Sequence, residues 1–276
     1  MPKRTSASSN ESLNVTLVTL DGHLAGAGDR AISRLQRDVP GLRVSLHSAG
    51  EWGGSPDLLE ECRADIATAH IVIVCMLFTE ETIEPILPDL AARRDHCDAM
   101  LCFMSAGDVM KLTRIGNFRM DGKQSGPLAL LKRLRGSKKQ EAGSSGARQL
   151  AVLRRLPRIL RFIPGTAQDL RVYFLAMQYW LAGSEVNVRN LIAMMINRYA
   201  DGPRRQFRDA VKVEAPREYP ETGLYHPSIK GGIATTLDAL PRAPKKSSGT
   251  IGVLVMRSYV LAGNSQHYDA VIRNLE

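Results

Sequence analysis

The sequence predicts an α/β protein: an open, mostly parallel sheet with helices on both faces, followed by a helical segment and the start of a second α/β unit. Three observations predict it. From Asn14 to Ala106, short apolar runs alternate with amphipathic ones, the rhythm of strand and helix units in a parallel sheet. A chain of 276 residues, 44% of them hydrophobic, can bury a sizeable core in one or two domains. Its longest apolar run, Ile71 to Phe78, is far shorter than the ~20 residues that cross a bilayer, so no membrane span is expected.

Taken in order, Val15 to Leu20, Leu42 to Leu46, Ile71 to Leu77 and Met100 to Met104 read as strands. Ala25 to Arg37, Pro56 to Ala67 and Glu80 to Arg94 read as helices, the last kinked at Pro85 and Pro88. Such sheets place ligand sites beyond the carboxyl ends of their strands, here Asp21-Gly22-His23, His47 to Gly50, Thr79 to Glu81 and Ser105 to Asp108. Gly136 to Gly146 is rich in Ser, Gly, Lys and Gln and reads as a loop. Pro157 marks a helix start, with Arg154, Arg155, Arg158 and Arg161 on one arc and Leu153, Leu156, Ile159, Leu160 and Ile163 on the other. Thr166 with Asp169 reads as an N-terminal cap for a helix whose buried stripe is Leu170, Phe174, Met177 and Leu181, and Gly183 ends it. Ser184 caps a further helix to about Tyr199, stopped by Gly202-Pro203. The proline-punctuated stretch after it reads as an extended segment wrapped over the surface, then Thr250 to Met256 as a strand and His267 to Leu275 as a helix. The expected division is therefore 1–127 (α/β domain), 128–148 (basic loop), 149–200 (helical), 201–249 (extended) and 250–276 (first strand and helix of a second α/β domain).

The formal charge of +9 is concentrated. Between Leu128 and Arg161 lie Lys132, Arg133, Arg135, Lys138, Lys139, Arg148, Arg154, Arg155, Arg158 and Arg161 against Glu141 alone, which accounts for the whole imbalance. Arginines arrayed on a helix face bind phosphates or carboxylates, and they also serve as a solvated face. No aromatic interleaving favours nucleic acid, a reading that predicts a steep salt dependence. Cys62, Cys75, Cys97 and Cys102 form no Cys-x-x-Cys pair and lie in or beside apolar runs, so reduced thiols are expected. The polar first ten residues carry neither a secretory core nor a transit pattern, and a cytoplasmic, bacterial setting is expected.

Few motifs survive scrutiny. Gly116 to Gly122 with Lys123 approaches the phosphate-binding loop, but five residues separate the glycines and Gln124 replaces the magnesium-binding hydroxyl. ATP chemistry is therefore assigned to a partner. Asp95-His96-Cys97-Asp98 holds four metal-ligand types, yet consecutive residues point in different directions, and a turn explains them better. Asp21 with His23, and Tyr225-His226-Pro227, read as turn and loop chemistry before function. No Gly-x-Ser-x-Gly elbow supports nucleophilic catalysis. No catalytic or metal-binding residue is assigned within the chain.

Several separated blocks, by contrast, carry a resemblance. They include Val18 to Ala27, Met76-Leu77-Phe78, Ala92-Arg93-Arg94-Asp95, Cys97-Asp98-Ala99-Met100, Met104-Ser105-Ala106-Gly107, Leu156 to Ser184, Arg198-Tyr199-Ala200-Asp201-Gly202-Pro203-Arg204, Tyr225-His226-Pro227 and Arg257 to Gly263. In order and spacing they resemble the N-terminal part of the magnesium chelatase H-subunit family, and more distantly the cobaltochelatase large subunit. The resemblance implies a ligase-type, ATP-dependent enzyme of chlorophyll or bacteriochlorophyll biosynthesis that binds protoporphyrin IX and inserts Mg²⁺. It also implies an AAA+ ATPase subunit and an integrin-like subunit as partners, with metal-insertion residues beyond Glu276 and this fragment inactive alone. Protoporphyrin offers a wide apolar face and two propionates, which suit aromatic walls and arginines. Arg161, Arg171 and Arg257, close to Tyr173, Trp180 and Tyr259, are the candidate porphyrin-binding residues. The competing expectation is a stand-alone, non-catalytic module that holds tetrapyrrole or docks partners.

Overall fold

The computed structural model describes residues 11–20, 22–121, 155–229, 232–242 and 249–276. Four parallel strands form the centre: β1 (Leu13–Thr19), β2 (Leu42–Ser48), β3 (Ile71–Cys75) and β4 (Ala99–Phe103), in the order β2-β1-β3-β4. All four lie where the sequence places them, within a residue or two at most ends. Two short antiparallel strands that the sequence pattern does not signal, β5 (Arg114–Ile115) and β6 (Phe118–Arg119), extend the edge beyond β4 to make six.

Strand β3 is buried along its whole length and so serves two cores. Ile71, Ile73 and Cys75 face one and Val72 and Val74 the other, the period of two that a pleated strand imposes. On the second face lie α2 (Pro56–Thr68), through Cys62 and Ile66, and α4 (Leu87–Arg93), through Leu90. The helix expected over Glu80 to Arg94 is broken into α3 (Glu80–Ile83) and α4, as two prolines dictate. On the first face lie α1 (Ala25–Asp38), α6 (Thr166–Ala182) and α7 (Glu185–Tyr199); a four-residue turn of helix, α5 (Gly107–Met110), follows β4. Each fully buried Leu, Ile or Val in these two layers contributes about 1.5–3 kcal/mol.

Helices α6 and α7 share one core with the sheet. The boundary expected at 128 falls among residues outside those described, as do most of the basic loop, Leu153 and Arg154. Residues 155–160 are helical, with Leu156 and Leu160 buried, but Ile159 is 54% exposed and Ile163 38% exposed, so the apolar arc is narrower than expected. Leu181, expected on the buried stripe of α6, is 42% exposed. It lies on the turn that leaves the sheet, whereas Tyr179 and Trp180 turn inward. Ser184 caps α7 as expected, accepting the Asn187 N–H at 3.4 Å. Thr166 does not cap α6: Gly165 holds that place, with φ of 76°.

The stretch after α7 wraps the surface as expected, and asparagines on α7 explain how. Asn187 exchanges two hydrogen bonds with the backbone of Arg217, each 2.9 Å. Asn190 accepts the Glu214 N–H at 3.0 Å, and Asn197 donates to the Val211 carbonyl at 2.9 Å. A strand was expected from Thr250 to Met256. None forms: residues 249–256 are irregular, because a parallel strand needs a neighbour to pair with and none of the described residues supplies one. Two helices follow, the unexpected α8 (Arg257–Ala262) and α9 (Gln266–Leu275).

Candidate functional site

The sheet leaves two cavities, one at each end of its strands. At the carboxyl end, Met76 and Met104 follow β3 and β4 directly, and both adopt the left-handed backbone conformation, with φ of 64° and 48°. Methionine gains nothing there, so packing over-determines the turn. The Met76 N–H donates to the Met104 carbonyl at 3.0 Å, locking the two turns together. Leu24, Trp180, Leu181 and Leu261 close an apolar slot of about 170 Å³ over them. That volume is close to a single aromatic ring in size.

The larger cavity lies toward the amino end of β4, against the β5–β6 edge, and holds about 530 Å³. Its floor is built around Asp169 in the first turn of α6, which is 7% exposed. This carboxylate accepts the Asn117 N–H at 2.9 Å and the Tyr199 hydroxyl at 3.1 Å. Burial and the adjoining Asp169 hold the Tyr199 phenol well above its ordinary range, so it stays a proton donor. Gly116 makes the close approach possible. It opens the two-residue β5–β6 turn with φ of 54°, and a Cβ there would stand 2.6 Å from an Asp169 oxygen. The glycine that resembled part of a phosphate loop is therefore a hairpin glycine, not the start of a strand-to-helix loop.

Arginines supply the walls. Arg198 projects from the last turn of α7, and Arg205 and Arg208 from the turn that follows, Gly202–Phe207. Arg114 enters from β5, held by the carbonyls of Arg94 (2.8 Å) and Cys97. The acids present are already engaged. Asp98 takes a two-pronged bond from Arg204, 2.9 and 2.7 Å, and also accepts the Asp201 N–H at 3.0 Å. Asp201 pairs with Arg205 at 2.6 Å, and the Gly202 N–H and this partner keep its carboxyl below the usual range.

The six candidate residues do not meet in one place. Arg161 is exposed, and Arg171 is half-buried with its Nε donating to the Pro157 carbonyl at 3.0 Å. Burial and the like charges of Arg161 and Arg198 make the Arg171 guanidinium easier to deprotonate than usual, which puts these three arginines in one electrostatic neighbourhood. Tyr173 and Trp180 are core residues: Tyr173 packs edge-on to Phe118 and Phe174, and Trp180 edge-on to Phe103 while lining the slot. Arg257 fastens α8 to the wrapped segment through the carbonyls of Pro220 (2.6 Å) and Tyr219 (3.3 Å). Tyr259 stacks with His267 and Tyr268. Asp95 to Asp98 form the turn into β4 and point apart: Asp95 faces Arg114 and Arg119, while Asp98 faces Arg204. His226 contacts Ser228 and Glu276. Asp21, Gly122 and Lys123 lie outside the described residues. Among the described residues no three His, Cys, Asp or Glu side chains gather as a metal site, and no helix is long and apolar enough to cross a membrane. Sequence reasoning missed Asp169 as a floor and Arg114, Arg198, Arg205 and Arg208 as walls. The block Arg198 to Arg204, which stands out in the sequence only through its resemblance, is the signal that could have found them.

Residues 14–174 match a family model described as a domain of unknown function, DUF3479, and residues 177–276 match one described as CobN/Magnesium Chelatase. The chain is 46% identical over 263 residues, 95% of its length, to the magnesium-chelatase H subunit of Rhodobacter capsulatus. It belongs to the magnesium-chelatase H-subunit family. The corresponding protein of Cereibacter sphaeroides is 45% identical over 263 residues, and the chloroplastic ChlH subunit of rice 30% identical over 281. The chain spans 22% of the length of the two bacterial relatives and 20% of the rice one. The magnesium-chelatase family match thus runs through both the sheet and the helices that build the cleft.

Proposed function

We propose that this chain is the N-terminal part of the porphyrin-binding large subunit of a magnesium chelatase, acting in the cytoplasm on the way to chlorophyll or bacteriochlorophyll. The observation that carries the reading is the 46% identity maintained over 95% of the chain. The substrates are protoporphyrin IX and Mg²⁺, and ATP is hydrolysed on an AAA+ partner subunit acting with an integrin-like one. Mg²⁺ holds its waters tightly and prefers oxygen, so placing it on four pyrrole nitrogens calls for a protein that fixes the macrocycle and strips the ion. The arginine-walled cleft supports a role for this chain in holding the macrocycle. Arg161 and Arg171 remain proposed contacts beside it. Trp180, Tyr173, Arg257 and Tyr259 are proposed to act from the other end of the sheet.

The test uses the full-length subunit containing this chain. Protoporphyrin titrated into it should quench tryptophan emission saturably, and addition of both partner subunits, ATP and Mg²⁺ should yield magnesium protoporphyrin. A full-length subunit that neither binds the porphyrin nor supports its metallation would overturn the reading.

A further inference from the structure

We infer that the cleft between α6, α7 and the β5–β6 turn is an anion site, and that its ligand is the pair of propionate carboxylates on one edge of the tetrapyrrole. This rests on the magnesium-chelatase reading and deepens it. Charge is the first ground. Counting Arg204, which is the partner of Asp98, five arginines (Arg114, Arg198, Arg204, Arg205 and Arg208) stand against three aspartates (Asp98, Asp169 and Asp201) around the cleft. Two cations are left over. Including Asp95 together with Arg119, which it contacts at 3.5 Å, leaves that surplus unchanged.

The aspartates are also unavailable as competitors. Asp98 is saturated by Arg204 and a backbone N–H, and Asp169 by Asn117 and Tyr199. Arg114 is held in place by two neutral carbonyls, which orient its guanidinium without cancelling its charge. Helix α6, 17 residues long, directs its N-terminus at the same space: Gly165 lines the cleft and supplies no side-chain cap, so the positive end of the helix adds to the field. A volume of about 530 Å³ admits a ligand edge with its carboxylates, whereas the apolar slot at the other end of the sheet, at about 170 Å³, does not. Guanidinium groups bind carboxylates and phosphates through the same forked geometry, so phosphate is the other source of this chemistry.

The experiment compares protoporphyrin IX with its dimethyl ester, which keeps the apolar face and removes both negative charges, on the full-length subunit. Arg198 and Arg205 are the residues to change, since both are exposed and neither supports the core. Arg198→Gln and Arg205→Gln should each weaken protoporphyrin binding about 10-fold, the loss of one charge-assisted contact, and leave the ester unaffected. Circular dichroism of each variant should match the wild type. Equal weakening of both ligands, or of neither, would overturn the propionate assignment while wild-type binding still upholds the family reading. Inorganic phosphate that binds in an Arg198-dependent way, with protoporphyrin indifferent to Arg198→Gln, would overturn it in favour of a phosphate site. If the wild-type subunit binds neither porphyrin, the chelatase reading itself falls and this inference falls with it.

Discussion

Replacing Asn187 by alanine tests how the extended segment is held. The side chain is fully buried, and its amide makes both hydrogen bonds of a strand-like pair with Arg217, accepting the N–H and donating to the carbonyl at 2.9 Å each. Alanine removes both partners at once. A net loss of about 1 kcal/mol per bond gives about 2 kcal/mol, an amount that lowers the melting temperature of a chain this size by about 4–8 °C. Asn187→Asp keeps the acceptor but not the donor and should cost about half as much. Because the wrapped segment carries Lys212 and Arg217, the same change should speed tryptic cleavage there before the core unfolds. Thermal unfolding of the 276-residue chain and timed proteolysis read both effects. An Asn187→Ala chain that melts within 1 °C of the wild type and is cut no faster would show that the segment is held by its own apolar contacts, Val211 and Phe207, and not by the asparagine ladder.

Gly116→Ala should destabilise by about 2 kcal/mol, since it combines a left-handed backbone with a Cβ pressed on Asp169; an unchanged melting temperature would deny the close approach. Ser184→Ala, losing the cap of α7, should cost about 1 kcal/mol by denaturant titration. The four buried thiols should resist Ellman's reagent at pH 8 until the chain unfolds. Burial pushes the Cys62 thiol up to about 12, and burial also raises Cys97 and Cys102. Above the unfolded value of 9.0 the unfolded chain sheds thiol protons that the folded one keeps, so stability should fall as pH climbs past 9, and a Cys62→Ala chain should show a shallower fall. Arg30→Met should free α8, because Arg30 donates to the Ala262 carbonyl at 2.6 Å and pairs with Glu185 at 3.1 Å; faster hydrogen exchange confined to 257–263 would show it.

The sheet was legible because each central strand is an uninterrupted apolar run bounded by turn residues, and because helices of the right length lie between them. Ile71 to Cys75 could hardly be anything else. The capping serine before α7 and the glycine after α6 were legible for a local reason: a helix end needs a particular hydrogen bond or a left-handed residue, and one residue supplies it. Asp169 was misread by the same logic. Its place in a first turn fits a cap, but its partners Asn117 and Tyr199 are 52 and 30 residues away, and no local rule reports them. The strand expected after Thr250 failed because propensity describes a segment, whereas a strand is a property of a pair. Tyr173 and Trp180 illustrate the ambiguity of aromatics, which suit a ligand wall and a core equally well until the neighbours are known.

The positions of the two cavities follow from how the sheet is covered. In an open parallel sheet the carboxyl ends of the strands form the usual crevice, and here that crevice is nearly filled. Trp180 descends from the end of α6, and α8 is drawn over it by Arg30 on one side and Arg257 on the other. Only a ring-sized slot survives, floored by two methionines in a backbone conformation that side chains disfavour. The same helices that close this end leave the other open. Helix α6 begins and α7 ends beside β4 and the β5–β6 turn, so the positive end of one helix and the arginines trailing the other converge where the sheet offers no covering residue. An antiparallel pair added to the edge of a parallel sheet thus relocates the chemistry: without Gly116 and Asn117 turning back against Asp169, the cleft would have no floor on which its cations could be fixed.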